Sequence, residues 1–360
     1  MTPSPLWRVF IDTGGTFTDC LAIDPDGAWH RAKVLSSSAL RGKVLSADRQ
    51  TVRIQCDWNA PRDFVRGGRF VVLGRDEFST PLVTAYSPTD AILELDDALS
   101  VPADTPFEIR FDEEAPVLAA RLVTQTPFGE AMPPMELRLA TTRGTNALLE
   151  HKGVPPVLFI TKGFGDLPLI GNQTRPDLFA LDIRKPTPLF ADVVEVGERL
   201  DARGEIVRPL RGEGLRPRCE ELLREGKDVA AVSLLHSYCN PEHEKRLAGF
   251  LTELGFRHVS VSHELSPSIG SLARTETSIA NAYLAPIIFE YLNNVRKGVG
   301  AEALKRFYVM TSAGGLADPD GFHPKDSLLS GPAGGVVGAA AAAKRSHIDR
   351  LIAFDMGGTS

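Results

Sequence analysis

The run Arg8-Val9-Phe10-Ile11-Asp12 is apolar at its centre, breaks at Gly14-Gly15, and resumes at Thr18-Asp19-Cys20-Leu21-Ala22-Ile23-Asp24. Two β-rich runs around a glycine-rich bend predict a β-hairpin. Pro25-Asp26-Gly27 makes a second turn and residues 29–36 a third strand, so three antiparallel strands are expected first. Between residues 40 and about 135 the period changes to short alternating runs such as Thr51-Val52-Arg53-Ile54, Phe70-Val71-Val72-Leu73 and Phe107-Glu108-Ile109-Arg110-Phe111, divided by Pro, Gly and Asp. That pattern predicts a separate all-β insert.

From residue 136 onward, strands alternate with helices. Strands are expected at 137–141, 157–160, 229–235, 258–262, 307–311 and 351–355, and helices at 145–152, 219–225, 242–254, 276–297 and 333–345. Such alternation implies mixed or parallel sheets with helical cover. Ile279, Ala282, Tyr283, Ile287 and Tyr291 recur at helical spacing and read as a core face. The alanines at 339–343 read as a tightly packed helix. Pro186, Pro188 and the charged run at 201–205 suggest a junction between two α/β halves near 185–215.

Composition narrows the function classes. A 360-residue chain with 43% hydrophobic and 24% charged residues has room for two or three domains of about 150 residues each. A net charge of -6 leaves no basic surplus for nucleic acid or an anionic membrane, so neither is expected as a partner. Cys20, Cys56, Cys219 and Cys239 form no C-x-x-C pair, which argues against a zinc site or a disulfide framework and for a reducing, cytoplasmic setting. No stretch approaches the roughly 20 apolar residues of a membrane helix.

The candidate chemistry lies in a repeated turn. Asp12-Thr13-Gly14-Gly15-Thr16 returns as Asp355-Met356-Gly357-Gly358-Thr359, each after an apolar strand. Glycines let the backbone approach phosphate closely, while exposed N–H groups and the Thr hydroxyl donate to its oxygens. The acid holds Mg²⁺, usually through water. One such turn is as well read as a plain hairpin bend; two, offered at matching strand ends, would clamp one triphosphate from both sides.

Three further segments have paired readings. Thr142-Arg143-Gly144-Thr145-Asn146 stands before a helix and would hold an anion, or is an N-cap by Thr142 or Thr145 with Arg143 solvated. Ser330-Gly331-Pro332-Ala333-Gly334-Gly335 offers backbone donors, or its glycines serve close helix packing. Thr311-Ser312-Ala313-Gly314-Gly315 lines a cleft, or is a strand-to-loop turn. His236, His243 and His263 lack metal spacing and read as structural.

The paired turns resemble the nucleotide site of the α/β actin-like ATPase (ribonuclease H-like) superfold. Residues 11–19, 141–150, 329–338 and 354–360 are longer motifs, similar to those of the hydantoinase A/oxoprolinase family. Ile170-Gly171-Asn172-Gln173-Thr174-Arg175-Pro176-Asp177, His236-Ser237-Tyr238, Asn240-Pro241-Glu242-His243-Glu244 and Ala282-Tyr283-Leu284 look most like its members that open 5-oxo-L-proline.

The resemblance covers about residues 8–36 and 137–360. It implies an N-terminal family domain over 1–200, with the β-rich insert at about 40–135, and the start of a second family domain over 201–360. It also implies ATP and Mg²⁺ as cofactors, with ATP hydrolysis driving ring opening of the lactam to L-glutamate. Asp12 and Asp355 would organise Mg²⁺, and Arg143 would neutralise charge. Gly14, Gly15, Thr16, Thr18, Thr145, Asn146, Gly334, Gly335, Gly357, Gly358 and Thr359 would grip the nucleotide.

The expected partners are a small lactam, a hydantoinase-B-like half in the remaining chain or a separate subunit, and other copies in an oligomer. The alternatives are an N-methylhydantoinase, the ATP-binding subunit of an acetone-type carboxylase, or a non-enzymatic ATP switch of actin or chaperone type. With the chain read as cut short one residue past the second turn, the piece by itself is expected to bind nucleotide weakly.

Overall fold

The structure, a computed structural model, describes residues 6–74, 80–173, 179, 181–182 and 185–354. In chain order its strands and helices are β1 (Trp7–Thr13), β2 (Phe17–Ile23), β3 (Trp29–Leu35), β4 (Ala39–Asp48), β5 (Thr51–Gln55), β6 (Arg69–Val72), β7 (Val83–Ser87), β8 (Ile92–Leu95), β9 (Pro106–Arg110), α1 (Ala115–Thr124), β10 (Met135–Thr141), α2 (Arg143–Leu149), β11 (Val157–Thr161), α3 (Leu167–Ile170) and β12 (Asp192–Val196). They continue with β13 (Arg199–Leu200), β14 (Ile206–Arg208), α4 (Arg216–Arg224), β15 (Val229–Ser233), α5 (Glu242–Leu254), β16 (His258–Val261), α6 (Ser262–Leu265), α7 (Ser271–Val299), β17 (Leu304–Met310), β18 (Leu316–Ala317) and α8 (Ser330–Arg345).

The chain divides into two compact units, one of residues 1–146, 290–322 and 326–360, the other of 147–289 and 323–325. In the first, a sheet runs β18-β17-β10-β1-β2-β3-β4-β5-β8-β7, with β9 pairing β4 and β6. β1, β2 and β3 form the expected antiparallel meander, while β1 pairs β10 and β10 pairs β17 in parallel.

The β-rich segment is neither separate nor all-β. β4 joins β3 at Leu35 opposite Ala39, so the insert continues the same sheet. Helix α1 then closes it. Its sequence, Ala-Pro-Val-Leu-Ala-Ala-Arg-Leu-Val-Thr, has Pro116 in the first turn, and nine consecutive residues, Ala115 to Val123, are buried. A helix that is apolar nearly all round shows no helical stripe, and a short apolar run cannot be told from a strand by period.

The second unit is built on a parallel sheet ordered β12-β11-β15-β16. β11 (VLFIT) and β15 (VAAVS) are buried at every position, as strands covered on both faces must be. On one side Phe159 and Val232 pack with Leu222 of α4 and Leu247 and Leu251 of α5. On the other, Leu158, Ile160 and Ala231 meet Ile279 and Ala282 of α7.

Two expectations fail at the C-terminal side. Residues 351–354 form no strand; Ile352 and Phe354 are 95% and 86% exposed, with no pairing strand among the described residues. The alanine run lies in α8 but is not tightly packed: of Ala339 to Ala343, Ala343 is buried, while Val336 and Val337 are exposed.

Candidate nucleotide site at the ends of three parallel strands

β1, β10 and β17 run parallel and end together in the first unit, with Thr13 opposite Thr141 and Leu139 opposite Val309. Each end leads into a segment singled out in the sequence. After β1 comes the Gly14-Gly15 turn, after β10 the Thr142-to-Asn146 segment, and after β17 the Thr311-to-Gly315 turn.

The first turn is held from behind and left open in front. Gly14 N–H donates to Phe17 O at 3.0 Å, closing the hairpin. Ser36, from the end of β3, donates its N–H to Thr16 O (2.9 Å) and its hydroxyl to Gly14 O (2.8 Å), and shares a 3.1 Å bond with the buried Thr18 hydroxyl. A Cβ on Gly14 would stand 3.2 Å from Phe17 O. The N–H groups of Gly15 and Thr16 and the Thr16 hydroxyl meet no acceptor among the described residues, and both residues are exposed. Asp12 is exposed at the strand end, opposite Asp19 of β2.

Unspent, pre-aimed donors beside a carboxylate are what a Mg-phosphate needs. Backbone N–H groups in such a turn make an anion-binding concavity, and a single carboxylate suits Mg²⁺, which keeps most of its waters. Among the described residues no group of three or more His, Cys, Asp or Glu forms a cage for a metal.

The second segment is anchored to the first. Thr142 N–H donates to Thr13 O (2.9 Å), and the buried Tyr291 hydroxyl, from α7, donates to Thr13 Oγ1 (3.2 Å). Burial pushes the Tyr291 phenol up to about 12, so it stays a donor at neutral pH. Thr142 stands at the N-cap position of α2, its carbonyl accepting the Asn146 N–H at 2.9 Å, while the side-chain acceptor for the Arg143 N–H is Thr141 Oγ1 at 3.1 Å.

Arg143 is engaged inside the protein. Its guanidinium bonds Glu114 at 2.9 Å and lies 4.7 Å from the Tyr291 ring centre. A phosphate there would compete with Glu114. Thr145 donates its hydroxyl to Leu328 O, and Asn146 Nδ2 reaches Thr142 Oγ1 at 3.4 Å. Thr145 thus ties α2 to the segment that precedes α8, while the Asn146 bond stays within the first turn of α2.

α8 begins against the same strand ends. The buried Ser330 hydroxyl lies 3.0 Å from Thr141 O. A Cβ at Gly331 or Gly334 would make ordinary contacts of 3.6 and 3.8 Å, and one at Gly335 would touch nothing within 4 Å. Close packing among the described residues therefore does not demand these glycines. The Thr311-to-Gly315 segment is the hairpin turn from β17 to β18, with Thr311 N–H bonded to Gly315 O.

The second turn, Asp355, Gly357, Gly358 and Thr359, lies outside the described residues. So do residues 174–178 of the Asn172-Gln173 motif.

The histidine motifs build a buried polar network in the second unit. His243 Nδ1 bonds Glu198 Oε2 at 2.7 Å with both side chains fully buried, and Thr161 donates to the same carboxylate. Glu244 accepts from Leu234 N, the Ser262 hydroxyl, His263 N and His263 Nδ1 at 2.6–2.9 Å. Buried Arg274 donates to Ser262 Oγ, Ser268 O and Leu234 O. Sequence reading missed Glu198 and Arg274, whose partners lie 6 to 45 residues away.

The chain matches the family profile described as Hydantoinase/oxoprolinase N-terminal region over residues 8–55 and 113–255, and that described as Hydantoinase/oxoprolinase over 274–360. It is 40% identical over 278 residues to 5-oxoprolinase 1 of Arabidopsis thaliana, covering 69% of this chain and 22% of that protein. It is 32% identical over 382 residues to 5-oxoprolinase of Saccharomyces cerevisiae, covering 98% of this chain and 25% of that protein. The chain thus spans about a quarter of the length of these curated relatives.

The crystal structure of an ATP-dependent caprolactamase from Pseudomonas jessenii superposes with a TM-score of 0.61 at 23% identity, over 98% of this chain and 42% of that one. The fold is accordingly the actin-like ATPase type, and the chain belongs to the hydantoinase/oxoprolinase family.

Proposed function

We propose that the Asp12–Thr16 turn binds the phosphates of ATP, and that the intact protein uses ATP to open the lactam of 5-oxo-L-proline to L-glutamate, with ADP and phosphate released. The observation that carries this reading is the pair of unspent N–H groups at Gly15 and Thr16, in a turn fixed from behind by Ser36 and Thr18. The similarity to two proteins named 5-oxoprolinase supports the choice of substrate.

Phosphoryl transfer rests on positioning and charge neutralisation. Gly15 N–H, Thr16 N–H and the Thr16 hydroxyl would donate to phosphate oxygens, and Asp12 would hold Mg²⁺, which would neutralise phosphate charge. Thr18 supports the turn from beneath. ATP, as co-substrate, supplies the phosphoryl group that turns the poorly electrophilic lactam carbonyl into one that water attacks. The repeated turn with Asp355, Gly357, Gly358 and Thr359, which lies outside the described residues, is assigned a share of the same phosphates on its sequence alone.

The test is ADP release by the intact protein with 5-oxo-L-proline, with hydantoins, and with a ketone plus bicarbonate. Stimulation by 5-oxo-L-proline is expected. Stimulation by a hydantoin, or by ketone and bicarbonate, would instead assign an N-methylhydantoinase or a carboxylase. Slow hydrolysis indifferent to all three would indicate an ATP switch. Asp12→Ala should lower turnover by about a hundredfold or more with unchanged circular dichroism; full turnover in that variant refutes the phosphate assignment.

A further inference from the structure

β3 and β4 are joined at one residue pair, Leu35 opposite Ala39, and then part. Between them lies a cleft of about 890 Å³, walled by β3 from Trp29 to Leu35 and by β4 from Ala39 to Lys43, and lined below by Leu122 and Val123 of α1. That volume is in the range of ligand sites, about 300–1,000 Å³.

The β3 wall is an open strand edge. Ser36 N–H bonds Thr16 O, which sets the alternation of the β2–β3 ladder. In an antiparallel pair, successive residues direct their backbone groups to opposite sides. His30, Ala32 and Val34 therefore bond β2, while Arg31 and Lys33 turn N–H and C=O toward the cleft, where no strand pairs with them among the described residues. The β4 wall is closed in the corresponding place: Trp58 Nε1–H donates to Arg41 O at 2.9 Å.

The side chains give the cleft a sign. Arg31 and Lys33 line one wall and Arg41 and Lys43 the other, against Asp57. Lys33 is held by Asp19 and Arg41 by Glu108, but Lys43 has no carboxylate partner among the described residues, and Arg31 is 3.7 Å from the nearest. Trp29, 68% exposed, stands at the mouth.

We propose that this cleft binds an extended acidic segment of a partner protein, which adds a strand to the β3 edge. Continuing the Leu35–Ala39 register would set Lys33 opposite Arg41 and Arg31 opposite Lys43, so two side chains of the inserted strand, two residues apart, fall between cations. Those are Asp or Glu. The alternate side chains fall on the face of Ala32 and Val34, toward Leu122 and Val123, and are apolar. Main-chain hydrogen bonds give such strand addition its affinity, and the alternating side chains its specificity.

The probe is a synthetic peptide of alternating valine and glutamate, titrated into the intact protein and read by tryptophan fluorescence from Trp29 and Trp58. Saturable binding is expected, weakened by salt and about tenfold weaker in Arg31→Glu/Lys43→Glu, which should prefer the valine–lysine counterpart. Both replaced side chains are exposed, so circular dichroism of the variant should match the parent. N-methylation of alternate peptide nitrogens should abolish binding. Absence of binding, equal binding by the N-methylated peptide, or indifference to the charge reversal overturns the proposal. Self-association of the protein that the reversal abolishes and the peptide leaves untouched would give the cleft to a second copy, and overturns it equally.

Discussion

Ser36 ties both carbonyls of the phosphate turn, Gly14 O through its hydroxyl and Thr16 O through its N–H. In Ser36→Ala the first bond goes and the second stays. The net loss of one such bond is about 1 kcal/mol, so the variant should fold but hold the turn loosely. Steady-state kinetics should show KM for ATP raised severalfold with kcat reduced less; an unchanged KM would mean the turn needs no such support. Tyr291→Phe removes the donor to Thr13 Oγ1 and should cost a similar amount, seen as a melting point a few degrees lower. The glycines and Asp12 were legible because their chemistry is local to five residues. Ser36 and Tyr291 were not, because each acts on a partner that folding alone brings near.

Burial also acts on the thiols. It pushes Cys20 up to about 12 and Cys219 to about 11, from an ordinary 9.0. In the unfolded chain both ionise above pH 9, while in the folded chain both stay neutral. The stability gained is therefore intact below pH 9 and is lost as pH climbs through 11 and 12. Denaturant midpoints should hold from pH 7 to 8.5 and fall by pH 10.5, and native-state alkylation at pH 8 should mark the exposed Cys239 while sparing Cys20 and Cys219.

At the scale of elements, period and punctuation located most helices and strands but not α1, whose apolar surround erases its stripe, nor the absence of a strand at 351–354, which depends on a neighbour rather than on propensity. α1 packs directly on the end of α7: a Cβ on Gly298 would come within 2.8 Å of Val117 Cγ2. Gly298→Ala should overpack this contact at a cost of about 1–3 kcal/mol by urea denaturation, although alanine favours helix. In the other unit, Glu244 accepts four hydrogen bonds at zero exposure. Glu244→Ala should cost about 3–5 kcal/mol by leaving the Leu234 and His263 N–H groups, the Ser262 hydroxyl and the His263 ring without their acceptor. The histidines beside it were read as structural from sequence; Glu198, which holds His243, was not found because it carries no local signature.

At the scale of the molecule, the β-rich stretch reads in sequence as a detachable insert because its period differs from its surroundings. Its hydrogen bonds say otherwise. β4 gives one length to β9 and another to β5, and buried Phe70, Phe107 and Ile109 complete that layer. Replacing residues 51–110 by a short linker should leave β4 with bare edges and yield aggregate by size-exclusion chromatography; a soluble, monomeric product would show the stretch to be dispensable.

The parallel ladder of β1, β10 and β17 also sets a clock. Trp7 pairs with Met135, and Met135 with Leu304. During synthesis at about 5–20 residues per second, the nascent first strand waits roughly 15–60 s before the third leaves the ribosome. The hairpin β1–β2 keeps an open edge until β10 is made, and β10 in turn keeps one until β17 is made, so the phosphate turn, though written within the first sixteen residues, is among the last parts of this unit to acquire its final setting.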